Sequence, residues 1–398
     1  MKKILLLSAW SGDIDDERKL RHYYIIRGVE KEKISHIDLV VEGTITKKGK
    51  STLSGSKSFI YYSFGLKIGK QKFTKLLSRV FNMMSYILYA LYIGIKTRKT
   101  YDTIWVSSPH PGASIAGIIV GKLFKKEIIY EIRDPWPELL IDLSIINEDS
   151  ILSKVLKKLD IYLQKNAKYI ISAFYDLTNI SETYKSKVII VPNSISDEVL
   201  NGIPYIENKK DHETLNLIYA GGAANAYMLD IIFKAIEKVV TSSKINIVLN
   251  LYVDEKEKKR YLPLVTELRI EKYIKFHSKV IQSKLIDAIQ KSDYYIFHLK
   301  DLYFFRAGIS SNKMMDPLMC GRPIIMAANL QNNWVMEANA GLIVKPEDPQ
   351  KLATAIINSY DIYHTKQYDN MCKNAYNYAR RELSVSARLK QLKEFGVF

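Results

Sequence analysis

Cysteine is nearly absent. The 398 residues hold two, Cys320 and Cys372, which excludes a disulfide framework and a multi-cysteine zinc site. The seven histidines show no metal-ligand spacing, so no metal is expected. No apolar run reaches the ~20 residues that a bilayer-crossing helix needs. The strongest run, residues 80–95 (VFNMMSYILYALYIGI), is interrupted by Asn82 and Ser85 and reads as a core helix. Lys67, Lys70, Lys72, Lys75, Arg79, Lys96, Arg98 and Lys99 flank it, so contact with an anionic membrane surface is a second reading. The opening MKKILLLSAWSGD lacks the small-residue cleavage pattern of a secretory signal. Residues 3–8 read instead as a first buried strand, and the expected location is the cytoplasm, with a peripheral seat on the inner face of the plasma membrane as the alternative. Repeats of fixed period and low-complexity tracts are missing too. No GxGxxG follows the first strand, which disfavours a dehydrogenase.

What the chain has in excess is positive charge. Lys and Arg number 59 against 42 Asp and Glu, a formal net charge of +17. Such an excess implies an acidic partner, whether nucleic acid, anionic lipid or a phosphorylated ligand, unless it merely reflects a Lys- and Ile-rich genome. No recognition-helix or base-stacking motif supports nucleic acid.

Short apolar runs alternate with helical patterns throughout. Strands are expected at residues 3–8, 37–42, 103–107, 127–132, 169–172 and 188–191. Helices are expected at 18–29, 70–96, 112–123, 152–165 and 176–185. Residues 43–58 are Gly/Ser/Lys-rich and read as a loop. A turn-rich, charged stretch at 201–214 (NGIPYIENKKDHET) then reads as a linker. After it the alternation restarts, with strands at 215–220, 245–253, 274–276, 294–299 and 324–327. The expected helices there are 228–240, 255–268, 282–291, 350–360 and a basic terminal stretch, 368–395. This order predicts an α/β protein of two Rossmann-like, doubly wound domains facing across a cleft. The expected division is 1–200, 201–375, and a terminal helix, 376–398, packing back on the first domain.

The segment 306–323 (RAGISSNKMMDPLMCGRP) carries the most chemistry. Ser311 or Asn312 suits a helix N-cap and Gly321 the residue past the helix end. A helix N-terminus beside Arg306 and Lys313 suits a diphosphate, and Asp316, one turn further in, can accept hydrogen bonds from a ribose diol. Pro317 is tolerable only near a helix start. The turn Tyr219-Ala220-Gly221-Gly222-Ala223-Ala224-Asn225 lets backbone approach a phosphate. In the first half, Ser107-Ser108-Pro109-His110-Pro111 closes one strand, and Glu131-Ile132-Arg133-Asp134-Pro135-Trp136-Pro137-Glu138 closes another. His110 can donate to a sugar hydroxyl or phosphate. Asp134 and Glu138 are hydroxyl acceptors or plain loop caps, and Trp136 a stacking face or a packing residue. Asp13-Ile14-Asp15 matches a loose metal-site pattern but reads as a solvated acidic loop. Glu337 reads as a helix-end carboxylate.

Together, SSPHP, EIRDPWPE, VPNSI, YAGG and SNKMMDPLMCGRPII resemble retaining GT-B glycosyltransferases, in family order from about residue 1 to 395. The nearest group is the bacterial glycosyl transferases group 1 that build capsule, O-antigen and exopolysaccharide. The resemblance implies a nucleotide-diphosphate sugar as donor substrate, UDP favoured over GDP, and no separate cofactor or metal. It implies a glycan or polyprenyl-linked acceptor on the first domain, and hexosyl or N-acetylhexosaminyl transfer with retention. It assigns Asp316 to the donor ribose, His110 to the neighbourhood of the transferred sugar, Gly221 and Gly222 to the diphosphate turn, and Asp134 to the sugar or acceptor site. Two departures stand out. The first of two family glutamates is replaced by Gly308, leaving sugar contacts to the amides of Gly308 and Ile309. The Arg and Lys expected after the diphosphate turn are missing, leaving Arg306 and Lys313 to carry the phosphate charge. These losses keep two alternatives open: a non-catalytic partner subunit and a nucleotide-sugar epimerase.

Overall fold

The computed structural model describes residues 1–9, 21–43, 56, 58–62, 72–134, 136–142, 144–173, 180–207, 213–222, 225–306 and 308–398. The chain forms two compact units: Met1–Ser194 with Val385–Phe398, and Ile195–Ser384.

The first unit is a seven-stranded parallel sheet, ordered β3-β2-β1-β4-β5-β6-β7. Its strands are β1 (Lys3–Leu7), β2 (His36–Gly43), β3 (Ser58–Tyr62), β4 (Thr103–Ser107), β5 (Glu127–Ile132), β6 (Tyr169–Ser172) and β7 (Val188–Ile190). Its helices are α1 (Arg21–Lys31), α2 (Lys72–Lys96), α3 (Pro111–Leu123), α4 (Glu138–Asp142) and α5 (Ile151–Asn166). Strands such as β4 (TIWVS) are buried along their whole length, as expected when helices cover both faces of a parallel sheet. The sheet reverses order at β1/β4, the switch point where a crevice opens beyond the strands' carboxyl ends.

The second unit is a six-stranded parallel sheet, ordered β10-β9-β8-β11-β12-β13. It comprises β8 (Thr214–Ala220), β9 (Asn246–Tyr252), β10 (Ile274–His277), β11 (Tyr294–His298), β12 (Ile324–Ala327) and β13 (Gly341–Val344). Around it lie α6 (Asp197–Gly202), α7 (Leu229–Ser242), α8 (Glu255–Glu267), α9 (Gln282–Gln290), α10 (Tyr303–Arg306), α11 (Asn312–Met319), α12 (Trp334–Glu337), α13 (Pro349–Tyr363) and α14 (Lys366–Glu382). The final helix, α15 (Val385–Glu394), belongs to the first unit, where Leu389, Leu392 and Val397 join the core beside α1.

Several expectations shift. The units divide at 194/195 and 384/385, against the expected 200/201 and 375/376. The reason is packing: Leu200 of α6 and Ala375, Tyr378 and Ala379 of α14 share one buried cluster with α11. The expected terminal helix is two helices, broken where Ile195 takes the carbonyl of Leu383 (2.8 Å) and bridges to Ser384. The helix expected at 176–185 is, among the described residues, only the 3-10 segment Glu182–Lys187. Strands β3 and β13 had no sequence counterpart.

One buried cluster locks the first unit. Glu131, fully buried at the end of β5, receives the Arg21 guanidinium (2.7 Å) and the His22 ring (2.5 Å) from the start of α1. Burial alone would raise the Glu131 carboxyl, but His22 and Arg21 hold it well below the usual range.

Candidate functional site

In the second unit, the loop before β12 builds the site from α11. Ser311 is the N-cap, and its hydroxyl accepts from the Lys313 N–H (3.3 Å). The helix is only eight residues long and contains Pro317, so it could not stand alone in water. It is held because Met314, Met315, Leu318 and Met319 are buried against α9 and α14. Pro317 has no N–H for the Lys313 carbonyl, a loss a two-turn helix tolerates when packing fixes it. The helix ends as expected at Gly321 (φ 68°). The Gly321 N–H reaches Leu318 O (3.0 Å) and the Arg322 N–H reaches Pro317 O (2.9 Å), a Schellman closure that requires a left-handed residue.

Two charges on this helix have no charged partner among the described residues. Lys313 lies along the glycine turn: a Cβ on Gly221 (φ 119°) would come within 2.8 Å of Lys313 Cε. Its amine sits 3.6 Å from the ring centroid of Tyr227. Among the described residues no carboxylate pairs with it, and burial lowers its pKa to about 8. Three residues on, the Asp316 carboxyl is largely buried and pushed up to about 6 by burial, with no cation or hydrogen-bond donor meeting it among the described residues. Lys313 and Asp316 have helical spacing suited to pairing, yet Lys313 turns to Tyr227 instead. Buried charges in proteins are normally paired. An unpaired cation and an unpaired carboxylate one turn apart therefore suit an outside ligand that carries both an anion and hydroxyl donors.

The remaining residues of this half take distinct places. The Gly221 N–H is committed to the Tyr252 carbonyl (3.1 Å), so Gly221 serves by having no side chain rather than by donating. Gly222 faces open space, where an added Cβ meets nothing. The Gly308 N–H goes to Phe305 O (3.0 Å), which takes it out of the pool of sugar-binding amides; Ile309 is half-buried beside it. Asn312 opens the helix, exposed. Arg306 closes α10 and is about half-exposed, its Nε donating to Asp301 (2.8 Å), which also receives Asn329 (3.2 Å). Glu337 accepts from the Tyr378 hydroxyl (2.5 Å), tying α12 to α14. Asp13 and Asp15 lie outside the described residues.

Gly308 has φ 134°, a backbone conformation that costs a side-chain-bearing residue of order 1–3 kcal/mol. Gly308→Glu, which writes back the glutamate of the resembled family, should therefore lower the melting temperature by several degrees. It should not raise activity, because the backbone that places residue 308 is built for glycine. A thermal melt beside a turnover assay reads both.

In the first unit, the ends of β4 and β5 are stitched together. Ser108 Oγ accepts from the Arg133 N–H (3.0 Å) and donates to Asp134 O (3.3 Å). His110 is the N-cap of α3, with Nδ1 accepting from the Ala113 N–H (3.3 Å). Burial lowers its pKa to about 4, and Tyr86 packs edge-on at 4.9 Å. An accepting Nδ1 puts the ring proton on Nε2. His110 is thus a neutral donor, not a cation. Burial raises the carboxyls of Asp134 and Glu138, with Arg133 acting against it at Asp134. Trp136 lines a small concavity with Ser108, Ser114, Tyr130 and Asp160. So His110, Asp134 and Trp136 gather at one sheet edge, while Glu138 begins α4.

Sequence reasoning missed Tyr227 and Asp160. Tyr227 roofs Lys313 and hydrogen-bonds Ser311; the signal was an aromatic where cations were sought after the glycine turn. Asp160 of α5 accepts from Tyr130 (2.5 Å) and Gln164 (2.6 Å), with burial lifting it to about 6. A cation does reach the end of the glycine turn, from α8: Arg260 Nη2 donates to Asn225 Oδ1 (2.6 Å).

Residues 214–361 match the sequence family Glycosyl transferases group 1. Among solved structures, sucrose-phosphate synthase from Thermosynechococcus elongatus superposes with a TM-score of 0.73 at 13% identity, covering 99% of this chain and 98% of that one. The fold is GT-B. A glycosyltransferase from Rickettsia africae superposes at 0.68 and 12% identity, covering 99% and 97%. Anabaena HepE, solved with UDP-glucose, superposes at 0.63 and 14% identity over 99% of both chains. No curated protein matches. The family match places the glycine turn, Lys313 and Asp316 of this GT-B chain inside the segment shared with group 1 glycosyltransferases.

Proposed function

We propose that the protein is a glycosyltransferase that moves a sugar from a nucleotide-diphosphate donor, UDP-linked by preference, to a glycan or lipid-linked acceptor in surface polysaccharide synthesis. The observation that carries this is that Lys313 and Asp316, on one short helix beside the glycine turn, have no charged partner among the described residues. Lys313 and the positive end of the α11 dipole would take the diphosphate. The Asp316 carboxylate would take the ribose diol. The group 1 match over this segment and the UDP-glucose in the HepE structure support the choice of ligand.

In the reaction the anomeric C–O bond to the diphosphate breaks and the acceptor oxygen bonds to the anomeric carbon. The acceptor's proton passes to a leaving phosphate oxygen. Charge grows on the diphosphate, and preorganised donors aimed at it are the largest source of rate. His110 Nε2–H would orient the sugar, and Asp134 the acceptor. Retention of configuration, independence of metal and transfer of a hexosyl or N-acetylhexosaminyl group are carried over from the family resemblance. Gly308 leaves sugar selection to groups other than the missing glutamate.

Arg306 tests the second cation. Arg306→Ala should lower turnover at least tenfold, while stability moves by less than about 1 kcal/mol, because its pair with Asp301 is exposed. Unchanged turnover removes Arg306 from the phosphate site. The reading as a whole is tested by thermal shift with UDP, GDP and their common sugars, followed by turnover of whichever stabilises. Stabilisation by none of them contradicts it. Stabilisation without turnover on any acceptor favours the non-catalytic subunit, and conversion of the sugar without acceptor favours the epimerase.

A further inference from the structure

Most of the large apolar side chains that the described residues leave exposed lie on three helices of the first unit. On α2 they are Phe81, Met84, Leu88, Tyr92 and Ile95, spaced by three or four residues and so forming one stripe. Leu88 is 67% exposed, on the side of the helix away from buried Tyr86, Ala90 and Ile93. The stripe does not stop at α2. Gly94 brings α2 against α3, since a Cβ there would meet Val120 Cγ2 at 2.5 Å. On α3, Ile119 and Leu123 (63%) are exposed. Next, α3 packs on α5, which exposes Leu152, Val155 and Tyr162. An apolar face spread over three adjacent helices is larger than the scattered exposure ordinary for a monomer surface.

The charge of this face names its occupant. Across α2, α3 and α5 the sequence has one carboxylate, Asp160, and it is turned inward to Tyr130 and Gln164. The cations are Lys72, Lys75, Arg79, Lys96, Lys122, Lys154, Lys157, Lys158 and Lys165, of which Lys157 pairs with Glu148 (2.9 Å). Two of them lie against the stripe: Lys96 Nζ is 5.6 Å from the Tyr92 ring and Lys122 Nζ is 5.6 Å from the Tyr162 ring, linking α3 to α5. Lysines laid along apolar and aromatic groups, with their heads free to move outward, are built for a boundary between hydrocarbon and charge. A second copy of the same face would set lysines against lysines. Nucleic acid would satisfy the lysines but strand Leu88 and Leu123. No described helix is long and apolar enough to cross a membrane, so the contact is one of lying on a surface. We propose that the outward faces of α2, α3 and α5 dock the first unit onto an anionic lipid bilayer. This rests on the first unit alone and holds whether or not the second unit binds nucleotide.

The test is flotation of the full-length chain with phosphatidylcholine vesicles, with and without phosphatidylglycerol. The parent should float with the anionic vesicles and at least tenfold less with the zwitterionic ones. Leu88→Glu with Leu123→Glu should abolish flotation, and Lys96→Glu with Lys122→Glu, which leaves the apolar stripe intact, should weaken it about tenfold. Leu262→Glu, at an exposed apolar position of α8 in the second unit, should float like the parent. Melting temperatures within a degree or two of the parent's establish that each variant is folded, and the lysine pair decides the matter if the leucine pair does not fold. A parent that does not float with anionic vesicles overturns the proposal. So does flotation unchanged in the folded variants. A parent dimer that Leu88→Glu with Leu123→Glu turns into a monomer would assign the face to a second copy instead.

Discussion

Asp316→Asn should make the protein more stable and a poorer binder at once. Burial lifts the Asp316 carboxyl to about 6, so at neutral pH the fold carries an ionised group it disfavours. Between about pH 4 and 6 the native state holds more protons than the unfolded chain, and stability falls as pH rises through that window. Above it the cost is complete, about 3 kcal/mol from the size of the shift. The uncharged amide removes that cost, and a melting temperature a few degrees higher is expected at pH 7.5, fading below pH 4. Donor affinity should fall on the order of 10–100-fold, because hydrogen bonds from a diol to a carboxylate are worth about 1.5–3 kcal/mol. Melts across pH and calorimetry with UDP read the two effects. A variant that is less stable and binds as before would show that Asp316 is structural.

Lys313→Met should cost about 10²–10³-fold in kcat, the loss found when one preorganised donor to a developing anion is removed. Methionine can lie along Tyr227 in place of the lysine stem, so the fold should survive. The parent's pH profile carries the same information. With its pKa lowered to about 8, Lys313 loses its charge as pH rises through that value, and donor affinity should fall there. The fold, in contrast, gains: between about 8 and 10.5 the unfolded chain holds the proton more firmly, so stability rises with pH. Both trends should vanish in the methionine variant. A parent whose affinity is flat between pH 7 and 9 would remove Lys313 from the phosphate site.

The sheets were legible because parallel strands buried on both faces read as uninterrupted apolar runs; β4, β5, β6 and β12 begin and end where the sequence put them. The strands it did not show are β3 and β13, both at sheet edges, where half the surroundings are missing and the apolar signal thins. The break between α14 and α15 has no glycine or proline to mark it; Leu383 and Ser384 make it through contacts with Ile195. At the candidate site, the helix start at Ser311 and stop at Gly321 were readable because capping is local chemistry. Tyr227 over Lys313 and Asp301 against Arg306 were not, since neither follows from helical spacing. That Gly221 and Gly308 spend their amides inside the fold could be learned only from the hydrogen bonds.

The most direct measurement is a crystal structure of the protein grown with UDP. The account predicts diphosphate oxygens within hydrogen-bond distance of Lys313 Nζ, with the ribose hydroxyls on the Asp316 carboxylate. Lys313 still folded onto Tyr227 and Asp316 untouched, with the nucleotide elsewhere or absent at saturating concentration, would contradict it.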